Sequence, residues 1–291
     1  TKWNETNSSG YGLFVDDDSC LCLMIGDGDG QVFKISSEKK LMRKVWYLVA
    51  ASFDSETGKV ILYQEPTVTP TNGGLGMSLL HPADETSAIV ESSNNINPGK
   101  CDSPLLMAAS TVVDRSGRHI TGGHYKEALT PVELPEQGFV YNGKIDRPRL
   151  SNKALSKDEI KNLASGYGGC TSDLRSKVVG AWDFHANITT NIASTFIVDV
   201  SPSHLNGFII NLPCRGMTGY NWTADDIVYH HKPEEYGAIH FHDDDIDDAR
   251  WEVDFTYDVP NKIKSGVYAA RLRINGDDSS ETEDFVPFVI K

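Results

Sequence analysis

Short runs of β-branched, aromatic and aliphatic residues, broken nearly everywhere by Asp, Gly, Asn and Pro, fill this chain, and only one segment carries a full helix signature. That punctuation rules out alternating βαβ units and leaves antiparallel sheets as the economical solution. Tyr11–Asp16, Cys20–Ile25 and Gln31–Ile35 read as strands joined by an Asp-rich turn and by Gly26-Asp-Gly-Asp-Gly30, a strong hairpin signal. Val45–Phe53 is almost continuously apolar, which predicts a central strand covered on both faces. Lys59–Gln64 follows across Ser55-Glu-Thr-Gly58. Residues 65–103 lack periodicity and predict a long surface loop. Pro104–Thr111 and Phe139–Leu150 return as strands.

The single helix begins after Leu155. Ser156 is its N-cap, Glu159 the capping-box partner, Leu155 the staple onto Ile160, and Gly166 the stop. Tyr167–Ser176, with Gly168-Gly169, then reads as a boundary between a domain of residues 1–170 and a second of residues 171–291. The second half is again β: Val178–Phe184, Thr195–Val200, Gly207–Leu212, Trp251–Tyr257, Val267–Ile274 and Phe285–Ile290. In Trp251–Tyr257 the side chains of Trp251, Val253, Phe255 and Tyr257 share one face, so one face should be dry. Pro287 inside the last run marks an edge strand or a bulge. The fold class is therefore all-β, an antiparallel sandwich followed by a second, smaller one.

The 27 basic and 41 acidic residues give a net charge of −14, which disfavours a phosphate backbone as partner and excludes nucleic acid from the expected ligands. The excess is uneven, −4 over residues 1–170 and −10 over residues 171–291. No membrane span and no leader peptide is visible. Five cysteines at scattered positions suggest reduced thiols rather than a disulfide framework, hence a cytoplasmic setting.

Candidate chemistry concentrates in Ala238–Glu252. His240 and His242, two apart on a strand, share a face and run into Asp243, Asp244 and Asp245, followed by Asp247 and Asp248. Two imidazoles and a carboxylate form a ligand set suited to iron or zinc, and the aspartates alone could take calcium, although the EF-hand pattern is absent. The competing reading is an acidic turn whose carboxylates accept backbone N–H groups, with the histidines packed against a neighbouring domain. Asp16-Asp17-Asp18 and Asp27-Gly28-Asp29-Gly30 divide in the same way between calcium loop and plain turn. Trp182 and Trp251 fit a core. Trp222, beside Arg215 and Tyr220 in one loop, fits a contact outside its own domain, either a partner protein or a stacked sugar. No glycine-flanked nucleophile elbow occurs, and surface or packed positions are the expectation for His81, His119, His124 and His204.

Trp46–Asp54 with Gly58–Tyr63, and Phe139–Asp146 with Arg149 and Leu155–Ile160, resemble the central hairpin and the closing strand and helix of laminin-G and concanavalin A-like sandwiches. Val179–Phe184, His204–Gly207, Asn211–Trp222, Tyr236–Asp245 and Ser265–Leu272 resemble the large-subunit family of N,N-dimethylformamidases, and the resemblance spans nearly the whole chain. It implies a laminin-G-like first domain, an immunoglobulin-like accessory domain, and hydrolysis of small amides at a mononuclear iron held by tyrosine and glutamate. By that resemblance the iron ligands lie in a separate downstream domain, so none is carried onto a residue here. The expected role is a non-catalytic scaffold or assembly portion whose partners are that catalytic domain, a small subunit and further copies of the chain. A free-standing carbohydrate-binding module and a purely structural oligomerisation shell are the alternatives. The chain is expected to be an internal or truncated piece, starting on an inner strand and stopping at Phe285–Lys291, about where the catalytic domain would begin.

Overall fold

In the computed structural model, residues 1–67, 85–111, 137–138, 140–210, 213–242, 252–274 and 282–291 are described. They form an all-β fold of antiparallel sheets with short helices. The first sheet is a meander of β1 (Lys2–Asn4), β2 (Ser9–Val15), β3 (Cys20–Asp27) and β4 (Val32–Lys40) in sequence order. The second sheet orders β5 (Tyr47–Phe53), β6 (Lys59–Pro66) and β7 (Ala88–Ser93). Leu21, Leu23 and Ile25 of β3 meet Val60 and Leu62 of β6, so the inner faces of the two sheets make one core. The acidic turns follow the plain reading: Asp16 Oδ1 accepts the amides of Asp18 (3.1 Å) and Cys20 (2.9 Å), and Asp27 Oδ1 those of Asp29 (2.8 Å) and Gln31 (3.0 Å).

Two sequence expectations shift here. The apolar run Val45–Phe53 is not the doubly covered strand: β5 lies at the sheet edge and Val49 is 38% exposed. The central strand is β6, whose Leu62 points into the sandwich while Tyr63 points outward under Leu155, Ile160, Leu163, Leu174 and Val178. Within the expected loop 65–103, Ala88–Ser93 forms β7, paired with β6 from Lys59↔Ser93 to Gln64↔Ala88.

Short strands β8 (Ser110–Thr111) and β9 (Gln137–Gly138) pair with each other, and β10 (Gly143–Asp146) and β11 (Arg149–Ser151) follow. The predicted helix is α1 (Lys157–Ser165), and both halves of its capping box are present. A turn of 3-10 helix at Tyr167–Gly169 leads to α2 (Ser172–Lys177), capped by Thr171, and to β12 (Val178–Ala181). Then come α3 (Ile188–Asn191), β13 (Phe196–Ile197), β14 (Gly207–Phe208), β15 (Cys214–Met217) and β16 (Ala238–Phe241). Trp182, Phe184, Ile197, Ile209 and Ile239 make a further core.

The expected division at 170/171 is not where the chain separates into compact units, because sheets cross it: β11 pairs with β12, and β10 with β16. The units are Thr1–Asp247 and Asp248–Lys291. In the second, β17 (Gly266–Ile274) and β18 (Thr282–Ile290) pair from Gly266↔Ile290 to Ile274↔Thr282. Pro287 sits opposite Ala269, in a strand with a single described neighbour, the edge position that a residue without an N–H requires. Residues 252–260 take no strand, contrary to the alternation of Trp251–Tyr257, and Val253, Phe255 and Tyr257 are exposed. Alternation makes a segment fit a half-buried ladder but cannot supply the ladder.

Candidate functional site

Strand β16 is the organising element. Its first residues, Ala238 and Ile239, are fully buried, and it lies between β10 and β15 in a three-stranded sheet. Register sets Lys144 and Cys214 on either side of His240. The His240 and His242 rings lie 5.4 Å apart, as their spacing predicts, and the Cys214 thiol stands 3.9 Å from His242 Nε2. Cys214 was not read from the sequence as a neighbour of either, since only strand pairing brings it there. Asp243, Asp244 and Asp245 lie outside the described residues, and among the described ones no three His, Cys, Asp or Glu side chains are grouped as a metal site.

The other candidates turn inward. The Arg215 guanidinium donates to the carbonyls of Ser194 (2.8 Å), Phe184 (3.1 Å) and Ala186 (3.3 Å), which ties β15 to the chain around α3. Tyr220 donates to the Ala164 carbonyl (3.2 Å) and accepts from Arg147 Nη1 (2.8 Å), whose guanidinium also lies 5.2 Å from the ring centre. Trp222 Nε1 donates toward the Asp226 carbonyl (3.3 Å) and the Tyr236 hydroxyl (3.2 Å). Trp182 is core, 4% exposed, with Nε1 on the Leu205 carbonyl.

Tyr220 and Trp222 belong to a long loop that returns to β16, closed at its base by Gly219 N–H donating to the Glu235 carbonyl (2.7 Å). Its interior is polar. Burial would raise the Glu235 carboxyl, but the Thr223 amide and hydroxyl and Lys232 outweigh burial and hold it below the usual range. The loop carries Ile227 at 85% exposure.

The end of β10 grips both ends of this loop. Lys144 Nζ donates to the Thr218 hydroxyl (3.0 Å), Arg147 donates to the Glu234 carbonyl (3.2 Å), and Asp146 Oδ2 accepts the Tyr220 amide (3.3 Å). The carboxyl of Asp146 packs against glycines at both ends, Gly219 and Gly237. Among the described residues its second oxygen, Oδ1, is buried without a hydrogen-bond partner, and so is Nδ1 of His185. Both atoms face Gly237: a β-carbon there would lie 3.0 Å from the oxygen and 3.6 Å from the nitrogen. Burial raises the Asp146 carboxyl above its ordinary range and lowers the His185 imidazole below its own. Nearby, Arg149 forms a partly buried ion pair with Asp183. Sequence reading missed this cluster, because Asp146 and His185 are separated by helices and sheets, and the only local sign is a glycine at each end of the loop.

Residues 215–291 match the family model described as "N,N-dimethylformamidase beta subunit-like, C-terminal". The N,N-dimethylformamidase beta subunit of Alcaligenes sp is 32% identical over 294 aligned residues and that of Paracoccus aminophilus 31% over 292. Each alignment takes in 100% of this chain and 34% of the relative, so the chain spans about a third of the length of the curated proteins it matches. Along its whole length the chain is thus similar to N,N-dimethylformamidase beta subunits, and over residues 215–291 also to the model of their C-terminal part.

Proposed function

We propose that this chain is the β-rich, non-catalytic portion of an amide hydrolase of the N,N-dimethylformamidase type, serving assembly and shielding a catalytic region outside residues 1–291. The observation that carries the reading is similarity over 100% of the chain to proteins of which it spans 34%. The hairpin β17–β18 supports it. Val267 (79% exposed), Val289 (67%) and Phe285 (55%) are apolar side chains on a two-stranded ladder, a unit that is marginal by itself and whose apolar surface calls for a cover. The cover in this reading is the further chain that the relatives' length provides, with a second kind of subunit and further copies of the chain as additional partners. The iron is implied by the family resemblance and not by a donor set here. Glu235 and Tyr236, a glutamate beside a tyrosine, are already engaged with Thr223, Lys232 and the Asp226 carbonyl, so no residue of this chain is assigned to the metal. Five free thiols accord with a reducing, cytoplasmic setting. No described helix is long and apolar enough to cross a membrane.

The test compares this chain with a polypeptide extended to the relatives' full length, following dimethylamine release from N,N-dimethylformamide and bound iron. Release and iron are expected from the extended polypeptide alone. Turnover by residues 1–291 would overturn the non-catalytic assignment, and an inactive, iron-free extended polypeptide would overturn the amidase.

A further inference from the structure

Strand β16 sorts its side chains by parity. Ile239 and Phe241 pack into the core with Trp182 and Ile145, so His240 and His242 project from the opposite face of the sheet. On that face the register sets Cys214 of β15 directly across from His240. The pairing is irregular between Cys214 and Met217, the kind of place where a strand re-aims its side chains. A thiol and two imidazoles thus share one patch of sheet that solvent reaches: Cys214 is exposed and both histidines are half-buried.

The spacings are close to those of a chelate. In a tetrahedral site with a metal–sulfur bond of about 2.3 Å and metal–nitrogen bonds of about 2.0–2.1 Å, a thiolate and an imidazole nitrogen lie about 3.6 Å apart, and two bound imidazole rings have their centres about 5 Å apart. Here Cys214 Sγ and His242 Nε2 are 3.9 Å apart, and the ring centres of His240 and His242 are 5.4 Å apart. The three donors do not converge as they stand. Convergence asks the His240 ring to turn about its own side-chain bonds. Lys144, on the other flank of His240, is held by the Thr218 hydroxyl (3.0 Å).

We propose that Cys214, His240 and His242 form a binding site for a divalent transition-metal ion of the zinc class, with one coordination position left to solvent. One thiolate and two imidazoles make a borderline-soft donor set, which suits zinc and not magnesium or calcium. Binding forms one metal–sulfur and two metal–nitrogen bonds and releases the thiol proton to solvent. The resemblance implies tyrosine and glutamate for the family's iron, so this site is a different one, and its test does not depend on the amide-hydrolase reading.

The test titrates residues 1–291 with cobalt(II), whose bond to a thiolate gives a charge-transfer absorption in the near ultraviolet, and then adds zinc. A band that saturates at a single equivalent and is abolished by zinc is expected. Cys20, Cys22 and Cys170 are buried and Cys101 is half-buried, so variants must identify the sulfur. Cys214→Ser should remove the band. His240→Ala and His242→Ala should each weaken cobalt binding at least about tenfold, the cost of disturbing even an outer partner of a metal ligand. No band in the unsubstituted chain, a band that persists in Cys214→Ser, or an unchanged affinity in either histidine variant overturns the site. A second measurement needs no substitution: zinc should slow alkylation of Cys214 by iodoacetamide, followed by peptide mass spectrometry, and leave that of Cys101 unchanged. Equal rates at Cys214 with and without zinc overturn the proposal even where a variant fails to fold.

Discussion

Asp199 is 1% exposed and accepts four hydrogen bonds: from the amides of Ala181 (2.8 Å), Ser201 (2.8 Å) and Leu205 (2.7 Å) and from the Ser201 hydroxyl (2.8 Å). Burial would raise its carboxyl, but these donors outweigh burial and hold it below the usual range. Replacement by Ala strands three amides, at a cost of about 3–5 kcal/mol that chemical denaturation should register. Glu159 is held at about 2 by Lys177 and by the amide and hydroxyl of Ser156. Both carboxyls have folded values below their unfolded ones. Their stabilisation is therefore fully present above the unfolded values, near pH 4–4.5, and is lost as pH falls through the folded values. Melting temperature should fall steadily below about pH 4.5, and Glu159→Gln should flatten part of that fall. The capping role of Glu159 was legible in the sequence because it is local. Asp199 was not, because one of the amides it serves, that of Ala181, lies at the end of β12 and is brought there only by the fold.

At the level of elements, α1 and β6 show what position adds to composition. The capping box of α1 needs only residues three apart, and Ser156→Ala should cost about 1 kcal/mol in equilibrium unfolding. Strand β6 is less apolar in sequence than β5, yet it is the one buried on both faces, since β5 and β7 flank it and the α1–α2 segment covers its outer face. Leu62, at 0% exposure, should lose about 2–5 kcal/mol on truncation to Ala, whereas Val49 in the apolar run of β5, 38% exposed, should lose less than about 1 kcal/mol. Equal losses would contradict the edge assignment. The apolar run predicted a strand correctly, and its place in the sheet was set by pairing partners far along the chain.

At the scale of the molecule, Thr1–Asp247 holds three buried clusters while Asp248–Lys291 offers a hairpin with apolar side chains in water. Hydrogen exchange should separate them. In residues 1–291 alone, amides of β17 and β18 should exchange on the order of a hundredfold faster than those of β3 and β6. They should slow markedly in a polypeptide of the relatives' length. Equally slow exchange in this chain by itself would remove the hairpin's need for a cover.

Patterning along the chain determined the strand-rich class, the hairpin turns at Asp16 and Asp27, the capped helix and the shared face of His240 and His242, because each depends on residues a few positions apart. Pairing and packing across long separations decided the rest. They joined β11 to β12 and β10 to β16 across the expected boundary, brought Cys214 beside His242, turned Arg215 and Tyr220 inward, and packed the Asp146 carboxyl against Gly219 and Gly237. Local sequence fixes which face a side chain takes, whereas the atom that face meets depends on which distant strand closes the sheet.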